Sequence, residues 1–349
     1  MLVDNFQILP EDIKTQIRSY IFFTPKDNQE LKSAVDLWCD NMKKAHKLYG
    51  HISSWDNIYI TNISDLFRNK KEFNSVISSW NVSNVIDMKE MFHNAIKFNQ
   101  PLNNWNVSNV ISMDSMFQYA ESFNQPLDNW NVSNVTNMTY MFSFAESFNQ
   151  PLNNWDVSNV TDMSHIFGFA KLFNQPLDNW NVSKVENMRC MFEDAKSFNQ
   201  PLDNSDVSNV LFMEYMFIDA ESFNQPLNNW NVSNVLFMYK MFSGAKKFNQ
   251  PLDNWNVSYV LDMSEMFSGA KKFNQPLDNW NVIYVEDMQE MFKNAKKFNQ
   301  PLDNWDVSNV TNMKSMFDGT KSLTKLPEWY KKKLIIIIYF ILQFYKCIH

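Results

Sequence analysis

The sequence predicts an α/β solenoid with a helical N-terminal cap, in which each 25-residue rung supplies one short parallel strand and one short helix. Three observations predict it. Tryptophan returns every 25 residues, at Trp55, Trp80, Trp105, Trp130, Trp155 and Trp180, and, after an interruption at Ser205, at Trp230, Trp255, Trp280 and Trp305. The words Phe-Asn-Gln-Pro-Leu begin at Phe98 and recur in the same register through Phe298, nine copies in all. Within a rung the apolar spacing changes: Trp105 and Val107 alternate across Asn106, the period of a strand, and then Val110, Met113, Met116, Phe117 and Ala120 follow at three and four residues, the stripe of a helix. A fixed period of this size marks stacked repeats, and 25 residues are too few for a four-stranded propeller blade of about 40.

The elements follow in order. Residues 1–54 do not share the phrase and form the first segment. Leu9, Pro10, Ile13 and Ile17, then Ile21, stand at helical spacing behind a proline start, and Leu31, Ala34 and Trp38 continue the pattern. One reading is a helical cap over the open end of the first rung, which a stack requires. The other is an adaptor segment, because Leu9-Pro10-Glu11-Asp12-Ile13 resembles the opening of an F-box, a small helical module that docks a ubiquitin-ligase subunit. The two readings are compatible.

Residues 55–329 are eleven rungs. In each, Trp, Val, Met and Phe fill the core, and Ser108 or Asn109 stands where the N-cap of the short helix belongs. Pro101 lies in the loop, where a missing N–H costs nothing. Asn and Gln of the repeated words are expected to form side-chain ladders up and down the stack. Asp156, Asp206 and Asp306 replace Asn just after the Trp place and read as exchanges on an exposed ladder. The pattern Leu-x-x-Trp-x-Val is leucine-rich-repeat-like. No rung can bury its apolar face alone, so stability comes from neighbours. The third segment, residues 330–349, carries Lys331, Lys332 and Lys333 ahead of an apolar run at 334–345. That run is shorter than the roughly 17–25 residues of a membrane helix and is read as a non-spanning tail.

The stretch FNQPLDNWNVSNVTNM at 123–138, with Met141, Phe142 and Ala145, resembles the 25-residue repeat of the BspA-like family. That repeat is related to leucine-rich repeats and was first described as a domain of unknown function in mycoplasma lipoproteins. The array is also similar to repeat proteins of giant amoebal DNA viruses, and residues 31–56 resemble the segment that precedes such arrays. The resemblance covers most of the chain. It implies a repeat scaffold without enzymatic activity, often labelled a surface or adhesion protein. The opening MLVDNFQILPEDIK has no basic start followed by an apolar run, so the export signal that label assumes is missing.

Composition narrows the function classes. The formal charge is −7, and Arg18, Arg68 and Arg189 are the only arginines among 31 basic residues, a poor balance for nucleic acid. Cys39, Cys190 and Cys347 are too scattered for a disulfide framework or a zinc site, which favours an intracellular location. His46, His51, His93, His165 and His349 pair with no cysteine at metal spacing. No nucleophile with a base can be named, so an enzyme, a cofactor and a metal are not expected.

Function is expected where the phrase breaks. Leu211-Phe212 and Leu236-Phe237 replace polar pairs on adjacent rungs, an apolar patch of the kind that marks a partner site. The alternative is that Phe212 turns inward to fill the place of the missing tryptophan at Ser205. Tyr259 and Tyr284 replace Asn on adjacent rungs, and tyrosine is favoured at interfaces. Lys246-Lys247, Lys271-Lys272 and Lys296-Lys297 align on three successive rungs, either as a stripe for an acidic partner or as a solvated face. The expected function is a non-catalytic scaffold that binds a protein partner through residues 211–297. A ubiquitin-ligase adaptor and an adhesin-like surface protein are the alternatives, and a membrane association is not expected.

Overall fold

The computed structural model describes residues 22–333. Residues 1–184 and 185–349 form two compact units. In the first, α1 (Asn28–Asp40) and α2 (Met42–Tyr49) precede the rungs. Asp27 caps α1 by accepting the Glu30 N–H at 2.8 Å, and Asn41 caps α2 in the same way from Lys44. Leu31, Ala34, Val35 and Trp38 form the buried stripe of α1. Trp38 packs edge-on against Trp55, its indole N–H donates to Ser75 Oγ at 3.0 Å, and Lys32 Nζ donates to the Asp65 carbonyl at 3.0 Å. The helices therefore cover the first rung. The adaptor residues Leu9, Pro10, Ile13 and Ile17 and the apolar run at 334–345 lie outside the described residues.

The rungs are not an α/β solenoid. Residues 55–327 contain no strand and no α-helix, only isolated parallel bridges of one residue each, such as Asp87 to Ser112 and Ser112 to Asn137. The reason is the use of the backbone. The Trp105 N–H donates to the Leu102 carbonyl and the Val110 N–H to the Val107 carbonyl, so the supposed strand is two tight turns with Asn106 between them. The supposed helix is also a run of turns: Met116 bonds back to Met113, Gln118 to Ser115 and Ala120 to Phe117. The alternate N–H groups of Met113, Ser115, Phe117 and Tyr119 leave the rung and donate to Asn137, Thr139, Met141 and Ser143 of the next at 2.8–2.9 Å. A helix would need those donors for itself.

That arrangement requires left-handed backbone. Ser115 has φ 56° and Tyr119 φ 60°, and the same two places are left-handed in every rung. Only Gly244, Gly269 and Gly319 fill them with the residue that adopts this region freely. Left-handed residues four apart end any helix, while the three-and-four spacing still turns Met113, Met116, Phe117 and Ala120 inward, all fully buried. The expected N-cap is corrected with the helix. Asn106 Oδ1 accepts the Ser108 N–H, and Asn109 Nδ2 donates to the Ser83 carbonyl of the preceding rung.

The core is a set of columns. Trp130 and Trp155 stack with centroids 6.4 Å apart, and Phe117 and Phe142 at 5.6 Å. From Trp80 to Trp305 each indole N–H of the column finds a carbonyl one rung back, as Trp130 does at Leu102 and Trp255 at Leu227, whereas that of Trp55, at the start of the column, has no hydrogen-bond partner. The repeated Asn and Gln form ladders: the Asn124 N–H donates to Asn99 Oδ1 at 3.0 Å, and Gln125 Nε2 donates to the same oxygen. At the end of the second unit residues 328–333 are helical. Trp329 there stacks on Trp305 and donates to the Leu302 carbonyl at 2.7 Å, so it continues the tryptophan column. Among the described residues no helix is long and apolar enough to cross a membrane.

Candidate protein-interaction face

Two outward columns have a defined task in most rungs. In the first, an Asn amide donates to a carbonyl one rung back: Asn109 to Ser83, Asn134 to Ser108, Asn234 to Ser208 and Asn309 to Ile283, at 2.7–2.8 Å. Tyr259 and Tyr284 occupy this column and cannot make that bond. They stack with centroids 6.4 Å and planes 4° apart, and remain 59% and 53% exposed. In the second column, an Asn or Asp oxygen accepts the N–H two residues on, as Asp262 does from Ser264 at 2.8 Å and Asp287 from Gln289 at 2.7 Å. Phe212 and Phe237 occupy this column and cannot accept. They stack at 6.1 Å and 3°, half-buried. Ser112 is a further exception there.

Phe212 does not fill the place of the missing tryptophan. It lies in the bridge ladder between Asn187 and Phe237, stacked on the latter. Leu211 and Leu236 are half-buried beside the phenylalanines, and Leu261 extends their column by one rung. Tyr215 and Tyr239 add a further pair, packed edge-on at 4.9 Å. Burial and the hydrogen bond to Tyr239 push the Tyr215 phenol up to about 12. The second unit thus carries two stacked aromatic pairs in two columns of the rung, Phe212–Phe237 with Leu211 and Leu236 beside them in sequence, and Tyr259–Tyr284. Sequence reasoning missed Leu261, Tyr215 and Tyr239, although aligning Leu261 with Leu211 and Leu236 would have revealed it.

The lysines form a separate column on a different turn of the rung. Lys246 pairs with Glu221 at 2.8 Å, while Lys247, Lys271, Lys272, Lys296 and Lys297 are exposed, with no carboxylate at ion-pair distance among the described residues. In the first unit Tyr59, Ile86 and Ile111 line a shallow groove of about 530 Å³ with Asn84 and Asn109. Tyr59 holds the same place in its rung as Tyr259 in its own, a coincidence visible in the sequence once the rungs are aligned.

The remaining polar exceptions have structural uses. Asp156 and Asp206 accept the N–H of Ser158 and Ser208, the same bond that Asn106 and Asn131 make elsewhere, and the serine hydroxyls, together with these N–H groups, hold both carboxyls below the usual range. Asp306 accepts from Ser308 in the same manner. Burial pushes the Cys39 thiol up to about 11 and raises that of Cys190, whose Sγ lies within 4.8 Å of a ligand atom of His165 and of Glu193.

Residues 39–155, 140–250 and 222–329 match the family described as mycoplasma protein of unknown function, DUF285. The matches cover most of the chain, which belongs to this repeat family. No curated protein and no solved structure matches it.

Proposed function

We propose that this member of the mycoplasma-described repeat family is a non-catalytic scaffold that binds another protein through the two stacked aromatic pairs of its second unit, together termed its apolar band. One observation carries the reading. Tyr259, Tyr284, Phe212 and Phe237 stand where other rungs place a side chain that bonds the backbone, and they display aromatic surface in its place. A drift that merely tolerated change would not favour large rings, half-buried or exposed, on paired adjacent rungs, and aromatic residues are what interface centres are built from. The stacked rings offer their edges outward, which suits apolar side chains of a partner. The BspA-like and giant-virus resemblances concern the same repeat and name no partner. The adaptor alternative would rest on Leu9, Pro10, Ile13 and Ile17, whereas Leu31, Ala34 and Trp38 are used in covering the first rung.

The test compares proteins crosslinked in cell lysate to the full chain and to a variant carrying Phe212→Asn, Phe237→Asn, Tyr259→Asn and Tyr284→Asn. Each change installs the residue that other rungs use, so the fold is kept. Partners captured by the native chain and lost by the variant support the reading. Identical capture by both overturns it.

A further inference from the structure

We propose that the segment docked on this band is basic as well as apolar: a stretch of a partner protein in which Lys or Arg flank apolar anchors. This deepens the docking reading above and rests on it. The band is framed by carboxylates. Glu186 stands one rung before Leu211 in its column, and Glu286 one rung after Leu261, both exposed. Asp262 and Asp287 follow Phe237 in its column, and Phe237 bridges directly to Asp262. None of the four has a basic side chain at ion-pair distance among the described residues. The cations of this region are already engaged: Arg189 lies 3.5 Å from Glu214 and 6.0 Å from the Tyr215 ring, and Lys240 lies 3.3 Å from Glu265 and 5.1 Å from the Tyr239 ring.

The consequence is a selection by charge. A partner that dries the band also strips water from its carboxylate frame, and a desolvated charge without a partner is costly. Asp262 and Asp287 cannot swing away, because each holds the N–H two residues on. A neutral or acidic segment leaves them unpaired or repelled, whereas a segment with flanking Lys or Arg pairs with them. The fold does not require the charge at these places: Asn137 and Asn187 make the same bond to Thr139 and Arg189. The carboxylates are therefore free to serve recognition, and the acidic chain as a whole steers a cationic segment inward.

The experiment uses the full chain and two fluorescein-labelled peptides with the same Leu and Phe positions, one carrying Lys and the other Glu between them. Anisotropy titrations are run at about 0.05 M and about 0.3 M salt. The Lys peptide is expected to bind about tenfold tighter or better and to weaken at the higher salt. The combined Asp262→Asn, Glu286→Gln and Asp287→Asn variant, checked for an unchanged melting curve, is expected to lose that preference. The inference is overturned if the Glu peptide binds as well, if neither peptide binds, or if the carboxamide variant keeps the preference. Capture of a partner that needs the aromatic residues but ignores the carboxamide variant would leave the docking reading standing and remove this one.

Discussion

Replacing the exposed tyrosine pair by asparagine should keep or raise stability while it removes a surface. In Tyr259→Asn the new amide would face the Ser233 carbonyl, and in Tyr284→Asn the Ser258 carbonyl, in the geometry that Asn234 and Asn309 show at 2.7 Å. A net hydrogen bond contributes about 0.5–1.5 kcal/mol, so two contribute about 1–3. Against this stands the loss of one stacked aromatic pair, about 0.5–1.5 kcal/mol. Little burial is lost as well, since both rings are more than half exposed. The double variant should therefore lie between about 0.5 kcal/mol below and about 2.5 kcal/mol above the native chain. The Tyr259→Ala, Tyr284→Ala control loses the stacking and gains no bond, so it should fall by about 0.5–1.5 kcal/mol. Urea denaturation of the three proteins, followed by tryptophan fluorescence, gives the order. An asparagine variant less stable than the alanine variant would refute the claim that this column is a hydrogen-bonded ladder which the tyrosines interrupt.

Three further outcomes are expected. Asn57 occupies the first-rung counterpart of Val82 and Val107, is 1% exposed, and neither of its amide atoms has a hydrogen-bond partner, so Asn57→Val should raise the melting temperature with a gain of about 1–3 kcal/mol. Gly269 has φ +71°, and an added Cβ would meet only ordinary contacts with Gly244, so Gly269→Ala should cost about 1–2 kcal/mol for left-handed backbone alone, measured by urea midpoint. Burial lifts the Glu214 carboxyl above its ordinary 4.5, and its Oε2 has no hydrogen-bond partner. Folding therefore favours the protonated form, whose stability is full below 4.5 and is lost as pH rises through the folded value. Melting curves of Glu214→Gln from about pH 4 to about pH 8 should lie above the native ones at the alkaline end and converge with them at the acid end.

How much of this was legible in the sequence depends on which atoms carry the information. The rung length, the core positions and the Asn-Gln ladder were legible, because side-chain burial repeats with the residues that cause it. Trp105, Val107, Val110, Met113 and Phe117 are all inside. The backbone was not legible. A stripe at three and four residues is made equally by a helix and by linked turns, and periodicity cannot separate them. What separates them is left-handed backbone at Ser115 and Tyr119, and in most rungs those places hold residues such as Glu90, Tyr140 and Lys240 that give no signal of it. Only Gly244, Gly269 and Gly319 betray the conformation, late in the chain. The breaks at Phe237 and Tyr259 were legible because those residues depart from a pattern, and each stacks on the ring of an adjacent rung. The carboxylates in the neighbouring rungs were not, because Asp262 and Asp287 look like ordinary alternates of Asn.

The same columns explain why the exceptions inform on function. In a stack of near-identical rungs most repeated polar side chains bond either the backbone of their own rung or a group of the adjacent one, so each departure has a cost that the structure states. The Ser205 departure gives nothing back: it leaves a smaller side chain in the tryptophan column. The Tyr259 and Tyr284 departures return exposed aromatic area and the Phe212 and Phe237 departures half-buried aromatic area, each in an adjacent pair of stacked rings. The first unit shows the same logic on a smaller scale. Tyr59 stands in the ladder column, and Ile86 and Ile111 stand in the column of Leu236, forming a groove whose lining carries no charge. A charge-free groove and an acid-framed band built on the same columns should differ in what they accept, the first indifferent to the charge of an apolar peptide and the second selecting the basic one. Grafting Asp262 and Glu286 alone onto the first unit, as Ser112→Asp and Thr136→Glu, should transfer part of that selectivity to its groove. If the grafted chain shows no added preference for the Lys peptide once Tyr259 and Tyr284 are replaced by Asn, the carboxylates do not act through their column positions.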